Sequence, residues 1–141
     1  MYCSIEDVIH EVHPTLKLQM EQTYGDNFDS IITAHILKAE AFVNASLSRA
    51  YNVPLKKASS IVISAECKIA AYFAAAAFAE KEEILQDKYD IAKEMLDNLI
   101  LADNPALVDE GLSDDEIKSE NIKVRYGSDN KLFTSEELEL W

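Results

Sequence analysis

Glycine and proline are scarce in this chain, with three of each among 141 residues. An all-β domain needs a turn signal about every 8–12 residues, so the composition leans helical before any pattern is read. Cysteine is scarcer still. Cys3 lies near what reads as a frayed N-terminus and Cys67 inside an apolar helix, which gives no disulfide framework and suits a reducing cytosol. Cations are in short supply too: 13 Lys and Arg stand against 26 Asp and Glu, for a net charge of −13. A surface that neutralises phosphates needs clustered Lys and Arg, so duplex nucleic acid as a bound ligand and an anionic membrane as a docking site are both disfavoured. No basic stretch precedes an apolar one at the start, as a signal peptide would require. The most apolar run, Ile69 to Ala79, falls short of the roughly 20 residues that span a bilayer, and the chain reads as a soluble protein. What is present is hydrophobic residue, 48% of the total. A single domain of this length buries roughly two thirds of its unfolded surface and folds without staples.

Helical signals dominate the first hundred residues. Ser4 caps a short helix that carries Ile5, Val8, Ile9 and Val12. Pro14 cannot continue it but suits the first turn of a second helix with Leu16, Leu18 and Met20. Thr23 to Asn27 reads as a loop. Asp29 is expected to cap the first long helix, whose apolar stripe runs through Phe28, Ile31, Ile32, Ile36, Ala39, Phe42, Val43, Leu47 and Tyr51. Asn52 and Pro54 are expected to end it. Ser59 or Ser60 opens a helix that is apolar almost all round, with Glu66 and Lys68 its only charges. After the charged break Glu80 to Glu83, Leu85, Tyr89, Ala92, Leu96 and Leu99 step by fours and threes, a bundle seam.

Past Pro105 the character changes. Asp109 to Glu120 reads as an acidic loop with at most one helical turn. Ile122 to Tyr126 alternates apolar with basic residues, Gly127 to Asn130 can turn the chain, and Lys131 to Phe133 can return as a second strand. Thr134 with Glu137 matches a capping box ahead of Leu138 and Trp141. The fold class is therefore mainly α: a small helical bundle of three long helices plus short N-terminal helices over residues 1–102, followed by an acidic loop and a C-terminal extended arm or β-hairpin over residues 103–141.

A search for chemistry finds little. His10, Glu11 and His13 are close, but the histidines stand three apart and the only other is His35; helical zinc ligands use a spacing of four with a third ligand elsewhere. The three histidines read as solvent-exposed. Glu80, Glu82, Glu83 and Asp87 lack the Glu-x-x-His partners of a di-iron bundle and read as a solvated helix start. No phosphate-binding glycine loop, dinucleotide fingerprint or Gly-x-Ser-x-Gly is present, and Cys67 has apolar neighbours that disfavour a thiolate. No metal, no cofactor and no catalytic residue are expected. Two features are left over. The nearly uncharged helix Ser60–Phe78 is either a central core helix or a subunit contact through Tyr72, Phe73 and Phe78. The tail is either packed on its own domain or an arm that docks on a partner by strand addition, through Ile122, Val124, Arg125, Tyr126, Leu132, Phe133, Leu138 and Trp141.

The same residues carry a family likeness. Met1-Tyr2-Cys3-Ser4 with Asp7-Val8, then Ala39-Glu40, Leu47 and Arg49 to Leu55, then Ile69 to Tyr72, Lys88-Tyr89, Ala92 and Leu96, and at the end Leu132-Phe133-Thr134 with Leu138 and Trp141 together resemble the Mu-like phage neck proteins. These belong to the head–tail connector (adaptor, head-completion) group of tailed bacteriophages. The resemblance covers residues 1–101 and about the last ten, and includes a structural corner formed by Tyr51, Pro54 and Leu55. In the family an Arg commonly precedes the corner Tyr directly; here Ala50 does, with Arg49 one place earlier, and the insert Asp109 to Glu120 has no counterpart. The resemblance implies a non-enzymatic helical adaptor that forms a homo-oligomeric ring beneath the portal protein, extends the DNA channel without binding DNA specifically, and offers a platform for the next neck or tail-completion protein. Its place is then the virion neck, with the host cytoplasm as the site of assembly. An acidic protein-binding module that mimics DNA is the competing reading, and a carboxylate-metal enzyme a more distant one.

Overall fold

A computed structural model describes residues 1–78 and 83–113. Five helices follow one another: α1 (Ile5–Glu11), α2 (Pro14–Tyr24), α3 (Phe28–Leu47), α4 (Ser60–Phe78) and α5 (Glu83–Ala102), with short 3-10 turns at Gly25–Asn27 and Pro105–Leu107. The protein is mainly α, as its composition and periodicity lead one to expect.

The short helices are set by their caps. Ser4 Oγ accepts from the Asp7 N–H at 3.2 Å while the Asp7 carboxylate accepts from the Ser4 N–H at 3.0 Å, a reciprocal capping box. Those two bonds hold the Asp7 carboxyl below its usual range. Pro14 starts α2, and the exposed His13 caps it, its Nδ1 accepting from the Thr15 N–H at 3.1 Å. Thr23 and Tyr24, expected in a loop, are the last residues of α2. The chain turns only at Gly25, whose φ of 56° is a conformation that favours glycine. Asp29 does not cap α3 either. The helix begins at Phe28, Asn27 holds the cap position without a side-chain bond, and Asp29 sits in the first turn, where a carboxylate complements the helix dipole.

α3 buries Phe28, Ile32, Ile36, Ala39, Val43 and Leu47 and stops at Leu47, short of the expected Asn52 and Pro54. Ser48, Arg49 and Ala50 form a turn, and Tyr51 folds back into the core at 3% exposure. α4 lies at the centre, packed most extensively against α5 and α3 and also against α1. Ala65, Ala70, Ala71, Ala74 and Ala75 are buried along it, and their small side chains let the neighbouring helices approach. By length and composition alone α4 could cross a membrane, but half of that window is buried inside the bundle. α5 closes the core with Leu85, Ala92, Leu96 and Leu99, the seam read from its spacing, while Tyr89 is half-buried beside them.

Beyond α5 the described chain stays on the bundle. Val108 is fully buried, and Ala58 pairs with Asp109 in an isolated antiparallel bridge. The Ser59 N–H donates to the Val108 carbonyl at 2.9 Å and the Glu110 N–H to the Lys57 carbonyl at 2.8 Å. Asp109, read from sequence as the start of an acidic loop, is 5% exposed. Its carboxylate accepts from the N–H groups of Lys56 at 2.7 Å, Lys57 at 2.9 Å and Gly111 at 2.8 Å. At Gly111 an added Cβ would come within 2.9 Å of the Lys56 Cβ, so the close approach of these loops needs the glycine.

Candidate assembly surface

Bonds between distant segments fix the frame that presents the surface. Glu66, in the middle of α4, is fully buried. Its Oε2 accepts from the Tyr2 N–H at 3.1 Å and the Cys3 N–H at 2.9 Å. The Tyr2 hydroxyl donates to Asn44 Oδ1 at 2.6 Å and accepts from the Leu55 N–H at 2.9 Å, tying the N-terminal segment to α3 and to the corner before α4. Burial raises the Glu66 carboxyl above its usual range against the lowering effect of the bonds from Cys3 and Tyr2. The N-terminus is thus not frayed at Cys3. That residue is 5% exposed, and its thiol is pushed up by contact with Cys67, by burial and by Glu66.

The corner residues have separate tasks. The Tyr51 hydroxyl donates to the Leu99 carbonyl near the end of α5 and accepts from the Asn104 N–H at 3.3 Å. This satisfies one of the carbonyls that a helix leaves free in its last turn. Leu55 is buried while Pro54 is exposed. Arg49 meets Asp97 at 3.4 Å with both side chains well exposed, a pairing worth little in water.

Of the histidines read as exposed, His10 and His13 are, but His35 is not: it lies at 8% exposure on the buried side of α3. Burial, and secondarily the charge of Lys38, lowers its basicity, and its Nδ1 has no hydrogen-bond partner. Position 35 falls between Ile32 and Ala39 on the core stripe, and that spacing is the signal that places it inside. Among the described residues no group of three His, Cys, Asp or Glu side chains is arranged to hold a metal.

Tyr72, Phe73 and Phe78, expected at a subunit contact, are half-buried within the subunit. Tyr72 stacks on Tyr89 with ring centres 4.4 Å apart, Phe73 meets Phe42 edge-on at 6.4 Å, and Phe78 meets Tyr24 edge-on at 5.4 Å. These aromatics join α4 to α5, α3 and α2. The arm residues Ile122, Val124, Arg125, Tyr126, Leu132, Phe133, Leu138 and Trp141 lie outside the described residues.

Among the described residues, the exposed apolar surface includes an outward-facing line on α5. Ile84 is 67% and Ile91 50% exposed; seven residues apart, they fall on one line along the helix, about a quarter turn from the buried seam. Exposed Glu83, Asp87 and Glu94 flank that line. At its N-terminal end it opens into a cavity of about 250 Å³ between the α1–α2 corner and the first turns of α5, walled by Val12, Pro14, Ile84 and Leu85. The floor is held by Glu11, which meets Lys88 at 3.0 Å and Lys68 at 3.5 Å, while Lys88 also donates to the Glu11 carbonyl at 2.8 Å. The sequence reading missed this surface. Its signal was a second apolar line on α5, Ile84 and Ile91, outside the Leu85–Leu99 seam.

The model of the family described as Bacteriophage Mu, Gp36 matches residues 2–121. Comparison with curated proteins and with solved structures gives no match.

Proposed function

The chain belongs to the bacteriophage Mu Gp36 family, and from that premise we propose that it is a structural neck protein, a head–tail connector that assembles as a ring under the portal. In this reading the ring extends the DNA channel and presents a platform to a downstream neck or tail-completion protein. The chain has no catalytic role, no cofactor and no membrane partner. It assembles in the host cytoplasm and resides in the virion neck.

The observation that carries the reading, beside the family, is the α5 face. Ile84 and Ile91 stand exposed on one line of a rigid helix, at the edge of an open cavity whose walls include Val12, Pro14 and Leu85, and a subunit in an assembly can bury such a strip. The charge of −13 per subunit supports the conduit role, because carboxylates repeated around a channel repel phosphate and let DNA pass without holding it. The arm after residue 119 supplies an anchor on the portal without a large preformed interface.

The test is removal of that arm. A chain ending before residue 119 is expected to lose capture by purified portal protein while its far-ultraviolet circular dichroism remains helical. Normal portal capture by the shortened chain would overturn the role of the arm. A stable small complex of the full chain with a nucleic-acid enzyme, and none with portal, would favour the DNA-mimic reading instead.

A further inference from the structure

We propose that the α5 face and its cavity receive the basic, apolar segment Ile122–Tyr126 from a second copy of this chain, so that each subunit grips the next. This deepens the ring reading above and rests on it, and it leaves the arm's last residues, Leu132 to Trp141, to hold the portal. The site is a continuous strip: the cavity walled by Val12, Pro14 and Leu85, the exposed Ile84 at its lip, and Ile91 two turns further along. Carboxylates border its outer side, with Asp87 three residues beyond Ile84 and Glu94 three beyond Ile91, and both are exposed. A helix places such pairs side by side. Lys88, already held by Glu11, stands on the other side.

Two facts choose the occupant. The first is chemistry: Ile122, Val124 and Tyr126 alternate with Lys123 and Arg125, so this segment matches an apolar strip edged with carboxylates. The cations already near the strip are engaged, since Lys68 and Lys88 both meet Glu11. The second is reach. The Ser59–Val108 and Glu110–Lys57 bonds hold the chain leaving α5 beside the start of α4, at the end of the bundle away from the cavity. α5 has 20 residues, which makes it about 30 Å long. The nine residue steps from Ser113 to Ile122 span at most about 32 Å when fully extended. Ile122 itself can therefore reach its own cavity only at full stretch. A chain that occupies its own strip must lay Ile122 near Ile91 with Tyr126 toward the cavity, the fold-back that the experiment below separates from a contact between copies. A neighbour arranged head to tail presents its cavity near the end where the arm departs. A contact between one end of a subunit and the other end of the next is heterologous, and such contacts close into rings when the rotation allows.

The experiment uses full-length chains and two charge reversals. One variant carries Lys123→Glu with Arg125→Glu, the other Asp87→Lys with Glu94→Lys. Light scattering over a hundredfold concentration range is expected to show self-association of the parent and at least tenfold weaker association of each variant alone. An equimolar mixture is expected to recover association, because each arm then meets a strip of opposite charge on the other chain. Association of either variant at parental strength overturns the contact. So does a monomeric parent, and so does recovery only when all four substitutions share one chain, which would mean that the arm folds back on its own subunit. Capture of portal by the same parental preparation separates the failures: capture without recovery in the mixture sinks the contact alone, and absence of capture sinks the neck reading itself.

Discussion

Glu66 and His35 place two titratable groups inside the helical core, and burial shifts them in opposite senses. The Glu66 carboxyl is raised, so its contribution to stability is complete below the ordinary Glu value of about 4.3 and is lost as pH rises through the folded value. His35 is lowered, so its contribution is complete above the ordinary value of about 6.5 and is lost as pH falls through the folded value. Thermal melts of single variants separate the two. Relative to the parent, Glu66→Gln is expected to lose the gain in stability that the carboxyl gives as pH falls from neutral toward its ordinary value of about 4.3, and His35→Gln is expected to gain as pH falls below about 6.5. Glu66→Ala strands the N–H groups of Tyr2 and Cys3, and is expected to cost about 1–3 kcal/mol at neutral pH; an unchanged melting temperature would contradict the role of the N-terminal clasp. Neither burial was read from the sequence: His35 was expected in solvent although it stands on the core stripe between Ile32 and Ala39, a signal that was there to find, and Glu66 gave no such signal. A single carboxylate in an apolar helix carries no mark of the distant segment whose N–H groups it will meet.

At the scale of elements, helix periodicity was readable and helix ends were not. Leu85, Ala92, Leu96 and Leu99 form the buried seam that their spacing promised, because a bundle core rewards that spacing directly. α3, by contrast, stops at Leu47 rather than at Pro54. Tyr51 stays apolar in pattern but is used as a clasp whose hydroxyl reaches the last turns of α5. Tyr51→Phe removes that hydroxyl from both the Leu99 carbonyl and the Asn104 N–H and is expected to cost about 1–2 kcal/mol in chemical denaturation. Asp109 was hidden for a similar reason: it begins a run of acids in the sequence and yet receives three backbone N–H groups. Asp109→Ala is expected to destabilise by about 2–3 kcal/mol, and Asp109→Asn by less, since an amide oxygen still accepts. Equal losses for the two would mean that charge, and not hydrogen bonding, holds the loops together.

For the whole molecule, the proposed function joins the acidic balance to the α5 face. On that proposal the charge keeps the subunit from holding nucleic acid, and the strip is what it would assemble through. Full-length protein is expected to give no shift of duplex DNA in a gel at low salt, the condition most favourable to phosphate contacts; a shift would contradict the conduit reading. The acidity was plain in the composition, but the strip was not, because Ile84 and Ile91 acquire meaning only once the seam beside them is seen to be buried and they are seen to be left outside it. The most direct measurement of the central proposal is electron microscopy of the full-length chain mixed with its portal protein. The expected result is a closed ring of several copies on one face of the portal, coaxial with its channel. Portal particles without added density, or with a single copy bound off-axis, would contradict it.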